Sequence, residues 1–420
     1  MGSKIAVIGL GYVGLPLARL FLQHGHTVFG IDLDERKIDK LGKRQSYLSD
    51  FTRGDIREMF ALNRFQVGTS YALASEAQAV IICVPTPIDE HAQPDLTYVR
   101  GAVTGLLPHL RKEQLVVLES STYPGTTEEE LLPIIESQGF KVGRDIYLAY
   151  SPERIDPGQN RIALRDIPKV VGGVTPACTR LAGEIYGSVF SQIVGVSNPR
   201  TAEMTKLLEN YQRFVNISVM NDLIPLCRVM DISLWEVIDA AATKPYGFTP
   251  YYPGPGIGGH CIPVDPMYLH WKAKAYDIDL PFIELSHRIN ERMPEYVLER
   301  IASSLPNPLS DSSVLVIGVT YKRDVNDIRE SSAIRVMELL QRRGIRLSFY
   351  DPYVEELTID GTVLTRTPLT ARQVKSHDCS LILTDHSNVP YALLAEHAPL
   401  VLDTRNTFGR SQKPANVILL

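Results

Sequence analysis

An apolar run, Ile5-Ala6-Val7-Ile8, passes directly into Gly9-Leu10-Gly11-Tyr12-Val13-Gly14 and then into an apolar stretch over residues 15–22. Few folds accept that order. The first segment reads as a buried parallel strand and the last as a helix packed on it. Gly9 permits the tight turn between them, Gly11 lets a pyrophosphate approach the backbone, and Gly14 lets helix and strand pack closely. The helix start offers N–H groups and a favourable dipole to phosphate. A second strand, Thr27-Val28-Phe29-Gly30-Ile31, ends in Asp32, 18 positions after Gly14. A carboxylate there can accept both ribose hydroxyls of an adenosine and would repel a 2′-phosphate, which points to NAD rather than NADP. The alternative for Asp32 is a plain helix cap. Lys37, one helical turn on, either faces the adenosine or is solvated.

Two more apolar runs end in polar loops. Residues 79–84 lead into Pro85-Thr86-Pro87, and residues 114–118 into Glu119-Ser120-Ser121-Thr122-Tyr123-Pro124-Gly125-Thr126-Thr127. In a doubly wound sheet, ligands sit beyond the carboxyl ends of the strands. Thr86 and Thr122 therefore fall where a nicotinamide or a reacting hydroxyl would lie, unless they only cap their loops. A strand over 146–150 delivers Ser151-Pro152-Glu153-Arg154, another acid at a strand end.

The middle of the chain reads differently. Residues 201–230 carry one long helical pattern, with Lys206 and Asn210 four apart on one face. Further helices are expected over 234–243 and 281–290. Between them runs Gly254-Pro255-Gly256-Ile257-Gly258-Gly259-His260-Cys261-Ile262-Pro263-Val264-Asp265-Pro266. Such a loop is too rich in glycine and proline for helix or strand interior, and it removes side-chain bulk near one thiol. It suits a nucleophile that meets a bulky polar ligand. It would equally suit a buried, inert cysteine in a turn.

With 420 residues, two or three domains are expected. A formal net charge of -5 carries no basic signature, so nucleic acid is not an expected partner. No apolar stretch approaches transmembrane length, so no membrane partner is expected. The five cysteines (Cys83, Cys178, Cys227, Cys261, Cys379) are odd in number and scattered, without CxxC spacing. That speaks against a disulfide framework and a zinc site, so no metal is expected, and it fits a reducing cytoplasm.

Residues 313–319 form another apolar run, followed by Thr320-Tyr321-Lys322-Arg323-Asp324-Val325-Asn326-Asp327-Ile328-Arg329-Glu330-Ser331-Ser332, a helix, and a strand over 347–350 ending at Asp351. This repeats the strand–helix–strand plan of the N-terminus without its second and third glycines. The loop carries Lys and Arg instead, as a nucleotide diphosphate site would want. The other reading is a surface charge cluster on a degenerate second lobe. Strands at 380–384 and 400–403 extend its sheet, and 303–312 reads as a linker.

Taken in order, GLGYVGLPLA, PTP, SSTYPGTT, SPER, KLLEN, GPGIGGHCIPVDP and YKRDVNDIRES resemble the UDP-sugar 6-dehydrogenase family over essentially the whole chain. The resemblance implies an α/β protein with two Rossmann-like doubly wound lobes, joined by a long central helix and a helical dimerisation domain. The expected domains are an NAD-binding lobe over 1–198, a central helical domain with the cysteine loop over 199–302, and a UDP-binding lobe over 313–420. Members oxidise C6 of a UDP-hexose twice with two NAD molecules, giving a uronate for polysaccharide biosynthesis. The expected assembly is a homodimer or larger homo-oligomer.

The resemblance makes Cys261 the nucleophile, through a thiohemiacetal and then a thioester. It gives Lys206 and Asn210 the oxyanion, Asp265 the hydrolytic water, and Glu153 and Thr122 the proton and water relay. NAD would be held by Gly9, Gly11, Tyr12, Val13, Gly14, Asp32, Lys37, Thr86 and Thr122. The UDP-sugar would meet Glu153, Arg154, Lys206, Asn210, Tyr251, Gly258 and Lys322. Residues 244–252 hold no arginine where many members have one, and tyrosines stand there instead; Tyr211 follows Asn210 where a small residue is usual. The loop's PGPGxGGHCIP form is similar to the branch acting on N-acetylated sugars, so UDP-N-acetylglucosamine is the expected substrate. UDP-glucose and UDP-N-acetylmannosamine are the alternatives. A two-electron 3-hydroxyacid dehydrogenase and a non-catalytic nucleotide-sugar sensor are the rival classes.

Overall fold

A computed structural model describes residues 2–48, 51–88, 93–154, 162–259, 261–409 and 414–420. His260 of the cysteine loop lies outside them. The chain divides into two compact units: residues 1–209 with 264–279, and residues 210–263 with 280–420.

The first unit is built on an eight-stranded sheet. Its strands are β1 (Lys4–Ile8), β2 (Thr27–Ile31), β3 (Phe65–Gly68), β4 (Ala79–Ile82), β5 (Leu115–Leu118), β6 (Tyr147–Tyr150), β7 (Lys169–Gly173) and β8 (Ile193–Val196), in the order β3-β2-β1-β4-β5-β6-β7-β8. The order reverses between β1 and β4, which opens a crevice at the carboxyl ends of the strands. β1 through β6 are parallel, and β7 runs antiparallel to β6. Apolar residues cover both faces: Ile8, Ile31, Ile82 and Leu118 pack on one side, and Val7, Val28, Ile81 and Val117 on the other. Burial on two faces explains why these strands read as continuous apolar runs.

The second unit carries a five-stranded parallel sheet of β9 (Ser313–Ile317), β10 (Arg346–Tyr350), β13 (Cys379–Ile382), β14 (Val401–Asp403) and β15 (Val417–Leu419), in the order β10-β9-β13-β14-β15, with a separate hairpin of β11 (Glu356–Ile359) and β12 (Thr362–Thr365). The expected pair of Rossmann-like lobes is present. Their first turns match atom for atom. Gly9 donates its N–H to Ile31 O and Leu10 N–H bonds Asp32 Oδ2; Gly318 N–H bonds Tyr350 O and Val319 N–H bonds Asp351 Oδ2. Both glycines have φ near +80 to +90° (Gly9 89°, Gly318 79°), and a Cβ on Gly9 would stand 2.6 Å from Cys83 O.

The long helix spans Pro199–Val229 and a shorter one Leu234–Ala241. The helix expected over 281–290 continues to Ala302. Pro294 sits inside it, and its early neighbours Ile283, Ser286, Asn290 and Met293 are buried together with Val297 and Ile301. Packing of that stripe outweighs the helix bond lost at proline.

Candidate active site

Three features at the carboxyl end of the first sheet suit a dinucleotide. The helix Gly14–Gln23 starts without a side-chain cap and without an acid in its first turn, so no side chain neutralises the positive end of its dipole. A Cβ built on Gly11 meets no atom within 4 Å, whereas one on Gly14 would stand 1.9 Å from Gly9 O. Gly14 is thus required by the fold itself, and Gly11 leaves room for something outside it. Asp32 accepts from Leu10 N, Asp34 N and Lys37 Nζ, the last at 2.9 Å. Lys37 therefore meets the Asp32 carboxylate directly. Tyr47 donates its hydroxyl to Leu10 O and closes the same turn.

These contacts make the two glycines separable by experiment. Gly11→Ala is expected to weaken NADH binding by about tenfold or more, roughly 1.4 kcal/mol, with unchanged thermal unfolding. Gly14→Ala should lower the unfolding temperature instead. Fluorescence titration and scanning calorimetry on both variants check the pair.

Thr86 and Thr122 lie at the ends of β4 and β5. Thr86 Oγ1 donates to Ser121 O at 2.6 Å, and its own carbonyl accepts the Tyr268 hydroxyl. Thr122 is fully buried, 2.6 Å from Thr126 Oγ1. Because Thr126 donates to Tyr123 O, the proton between the two hydroxyls is that of Thr122.

The long helix docks on this loop through Glu203, which is wholly buried. It accepts from Gly125 N at 2.6 Å, Thr127 N at 2.9 Å and Thr127 Oγ1 at 2.7 Å. Burial pushes its carboxyl above the ordinary range, against the pull of those donors. Ala202, Glu203, Lys206, Leu207 and Asn210 form the buried stripe. Lys206 is only 9% exposed.

Asp265, 1% exposed, opens the helix Asp265–Lys274 with Pro266 behind it. Tyr268, one turn later, ties that helix to Thr86. Glu153 accepts from Arg154 N at 2.6 Å and faces Lys169 Nζ at 3.8 Å. Arg154 is held by Glu209 at 2.6 Å and by Pro168 O at 2.9 Å.

In the second unit the cysteine loop is seated by side chains that the sequence reading did not single out. Asn290 pairs with both backbone groups of Ile257, accepting from N at 2.6 Å and donating to O at 3.2 Å. Asn221 accepts from Gly254 N, and Ser332 Oγ donates to Gly256 O. The glycines are needed for close approach: a Cβ on Gly258 would meet Glu330 O at 2.7 Å, and one on Gly259 the Tyr321 ring at 2.8 Å. Arg405 donates Nε–H to Leu383 O at 2.8 Å, and its guanidinium lies where a Cβ on Gly254 would come within 2.6 Å of it. A polar residue at a core position of an apolar helix, and an arginine just past a strand end, are the signals that would have found Asn290 and Arg405.

Cys261 is half-buried. Burial, with Glu119 beside it, pushes the Cys83 thiol far up, and burial pushes Cys379 up to about 12. Those two sulfurs stay protonated and unreactive. Tyr251 and Lys322 are both half-buried, and the Lys322 carbonyl accepts from Thr320 Oγ1.

The second lobe's acid cannot serve a ribose. Asp351 is fully buried, and His386 Nε2 lies 3.0 Å from its Oδ2. Asp324 N–H donates to His386 Nδ1, so Nε2 carries the ring proton and gives it to Asp351. Against burial, His386 and the backbone donors hold the Asp351 carboxyl below its ordinary range.

Two Rossmann-like lobes, whose strand-end acids differ in that Asp32 keeps a little exposure and Asp351 none, suit a dehydrogenase that draws on a dinucleotide and a second nucleotide ligand. Comparison with known proteins agrees. The UDP-glucose/GDP-mannose dehydrogenase family matches with its NAD binding domain over residues 3–190, its central domain over 200–292 and its UDP binding domain over 315–410. The UDP-N-acetyl-D-mannosamine dehydrogenase of Methanococcus maripaludis is 32% identical, over 96% of this chain and 93% of its own. The UDP-N-acetyl-D-glucosamine 6-dehydrogenase of Pseudomonas aeruginosa is 35% identical, over 84% and 83%. The solved UDP-D-ManNAc dehydrogenase of Pyrococcus horikoshii superposes with a TM-score of 0.89 at 30% identity, over 99% of this chain and 98% of its own. The chain belongs to the UDP-glucose/GDP-mannose dehydrogenase family. It is an NAD-dependent oxidoreductase of the UDP-sugar 6-dehydrogenase type. None of its described helices is long and apolar enough to cross a membrane.

Proposed function

We propose that this enzyme oxidises C6 of a UDP-2-acetamido-hexose twice, to the uronate, through a covalent intermediate on Cys261. The observation that carries the reading is a half-buried thiol in a glycine-lined loop, in a chain where Cys83 and Cys379 are held protonated by burial. NAD, when bound, supplies the hydride acceptor for each oxidation. The open backbone at Gly11 and the uncapped helix start, with Gly9, Tyr12, Val13 and Gly14, fit its pyrophosphate; Asp32 with Lys37 fits its ribose, and Thr86 and Thr122 its nicotinamide end.

In this mechanism the Cys261 thiolate attacks the C6 aldehyde, and the adduct is oxidised to a thioester without release of the aldehyde. Lys206 and Asn210 stabilise the oxygen that gains charge at C6. Asp265 orients the hydrolytic water, with Glu153 and Thr122 passing its protons. Lys322, Arg154, Tyr251 and Gly258 serve the substrate, and Arg405 adds a cation that the motifs did not point to. The exposed apolar residues Val229, Met230, Ile232 and Val237, at and beside the turn between two helices, suit a surface shared with a second copy of the chain.

UDP-N-acetylglucosamine is the first substrate reading, from the form of the cysteine loop. UDP-N-acetylmannosamine is the second, favoured by the name of the Methanococcus relative that matches over most of both chains. A panel of the two N-acetylated sugars and UDP-glucose, with NADH counted per sugar, tests both parts. We expect two NADH per sugar, and kcat/KM for one N-acetylated epimer about tenfold or more above UDP-glucose. One NADH per sugar would overturn the thioester in favour of a simple two-electron dehydrogenase.

A further inference from the structure

Behind the Glu153 turn lies a buried charge cluster with no part in the chemistry above. Lys169, at the start of β7, places Nζ 2.9 Å from Glu119 Oε2; the two side chains are 4% and 0% exposed. Tyr186 donates its hydroxyl to Glu119 Oε1, and the ammonium stands over the Tyr186 and Phe190 rings at 5.1 and 5.4 Å. Burying an ammonium costs several kcal/mol unless its partners are well placed, and Glu119 with the rings would suffice for that. The ammonium nevertheless reaches further. It donates to Pro152 O at 3.2 Å and faces Glu153 Oε2 at 3.8 Å.

Those contacts fall where the backbone stops providing support. The β6–β7 ladder pairs only Ala149 with Gly173 and Tyr150 with Gly172. The turn that follows is tied back by Ser151 Oγ to Val170 O and by Lys169. One ammonium therefore grips the turn at the carbonyl before Glu153 and at the Glu153 carboxylate itself. Burial works against its charge, but Glu119 first and Glu153 second outweigh it and keep Lys169 protonated. Burial, with Glu153 nearby, pushes the Glu119 carboxyl up despite its lysine partner. Cys83, Tyr150 and Tyr186 also stand within electrostatic reach of Glu153.

We propose that Lys169 is a positioning residue for Glu153, holding its carboxylate where thioester hydrolysis needs it. This rests on the reading of Glu153 as part of the water relay. In the step concerned, water adds to C6, the C6–S bond breaks, the sulfur recovers a proton, and one proton is released with the product carboxylate. Lys169 touches none of the reacting atoms. Its loss should slow hydrolysis and spare both hydride transfers.

Rapid-mixing measurements of NADH, with mass spectrometry of Cys261, test this on the full-length enzyme. In Lys169→Met we expect a fast burst of NADH, a steady rate about tenfold or more below the burst rate, and acyl adduct accumulating on Cys261. The double variant K169M/E119Q removes the Glu119 charge together with its ammonium partner and is read the same way if the single variant does not fold. Glu119→Gln alone keeps the ammonium facing Glu153 and should retain the wild-type ratio of burst to steady rate. Glu153→Gln should reproduce the Lys169→Met burst. A wild-type ratio in either Lys169 variant, or a ratio in Glu119→Gln that shifts as far as theirs, overturns the proposal. A wild-type ratio in Glu153→Gln overturns the reading of Glu153 on which it rests.

Discussion

Replacing Cys261 by serine is expected to lower uronate formation by roughly 10³-fold or more, while NADH and the UDP-sugar still bind. Serine keeps the size of the side chain. Asn290, Asn221 and Ser332 grip the backbone of residues 254–257 upstream of it, and no contact of theirs involves the sulfur. What disappears is nucleophilicity, since a serine hydroxyl is far less ionised than a thiol at neutral pH. The first oxidation needs no sulfur, so the variant should stall near the aldehyde and release it slowly. Trapping the aldehyde with a hydrazine, and counting NADH in a single turnover, distinguishes this from failure to bind. Full uronate production at the wild-type rate would show that water adds to a free aldehyde and that Cys261 is a packing residue.

How much of this was legible beforehand depends on how far apart in the sequence the partners lie. The first nucleotide turn was readable because its parts adjoin: Gly9 must take a positive φ, Gly14 must clear Gly9 O, and Asp32 ends the next strand. The second turn was readable by repetition, but its meaning was not. Only the fold brings His386 onto Asp351 from 35 positions away and removes that acid from ribose binding. β7 and β8 escaped notice because one is glycine-ended and the other half-exposed at the sheet edge, so neither presents a long apolar run. The helix expected over 281–290 stops short of Pro294, which sits inside the observed helix because its buried stripe decides the outcome, whereas the 201–230 pattern was legible straight through Pro225. Asp265 read as loop, although Pro266 at the second position of a helix is a start signal. Among the site residues, Lys206, Asp265 and Cys261 were reached through their motifs. Glu203, Lys169 and Asn290 were not, because each acts on a backbone segment that is distant in sequence.

Removing the Lys206 ammonium is the second large effect expected. Lys206→Ala should cut kcat by about 10²- to 10³-fold and change KM for the UDP-sugar by less than about threefold. In the proposed mechanism the charge is presented to an oxygen that becomes negative only as the thiolate adds and as water attacks the thioester, so its stabilisation would grow from ground state to transition state. Two features make it effective there. The residue is 9% exposed, so little water screens it. It also sits three positions after Glu203, whose three bonds to Gly125 and Thr127 fix the register of the long helix against the Thr122 loop. Lys206→Arg keeps the charge but spreads it over a planar group that cannot occupy the same point, so most of the loss should remain. Steady-state kinetics on both variants, with UDP-sugar affinity measured independently by calorimetry, separates the roles. Loss of affinity at unchanged kcat would make Lys206 a ground-state anchor for the sugar and leave the oxyanion to Asn210.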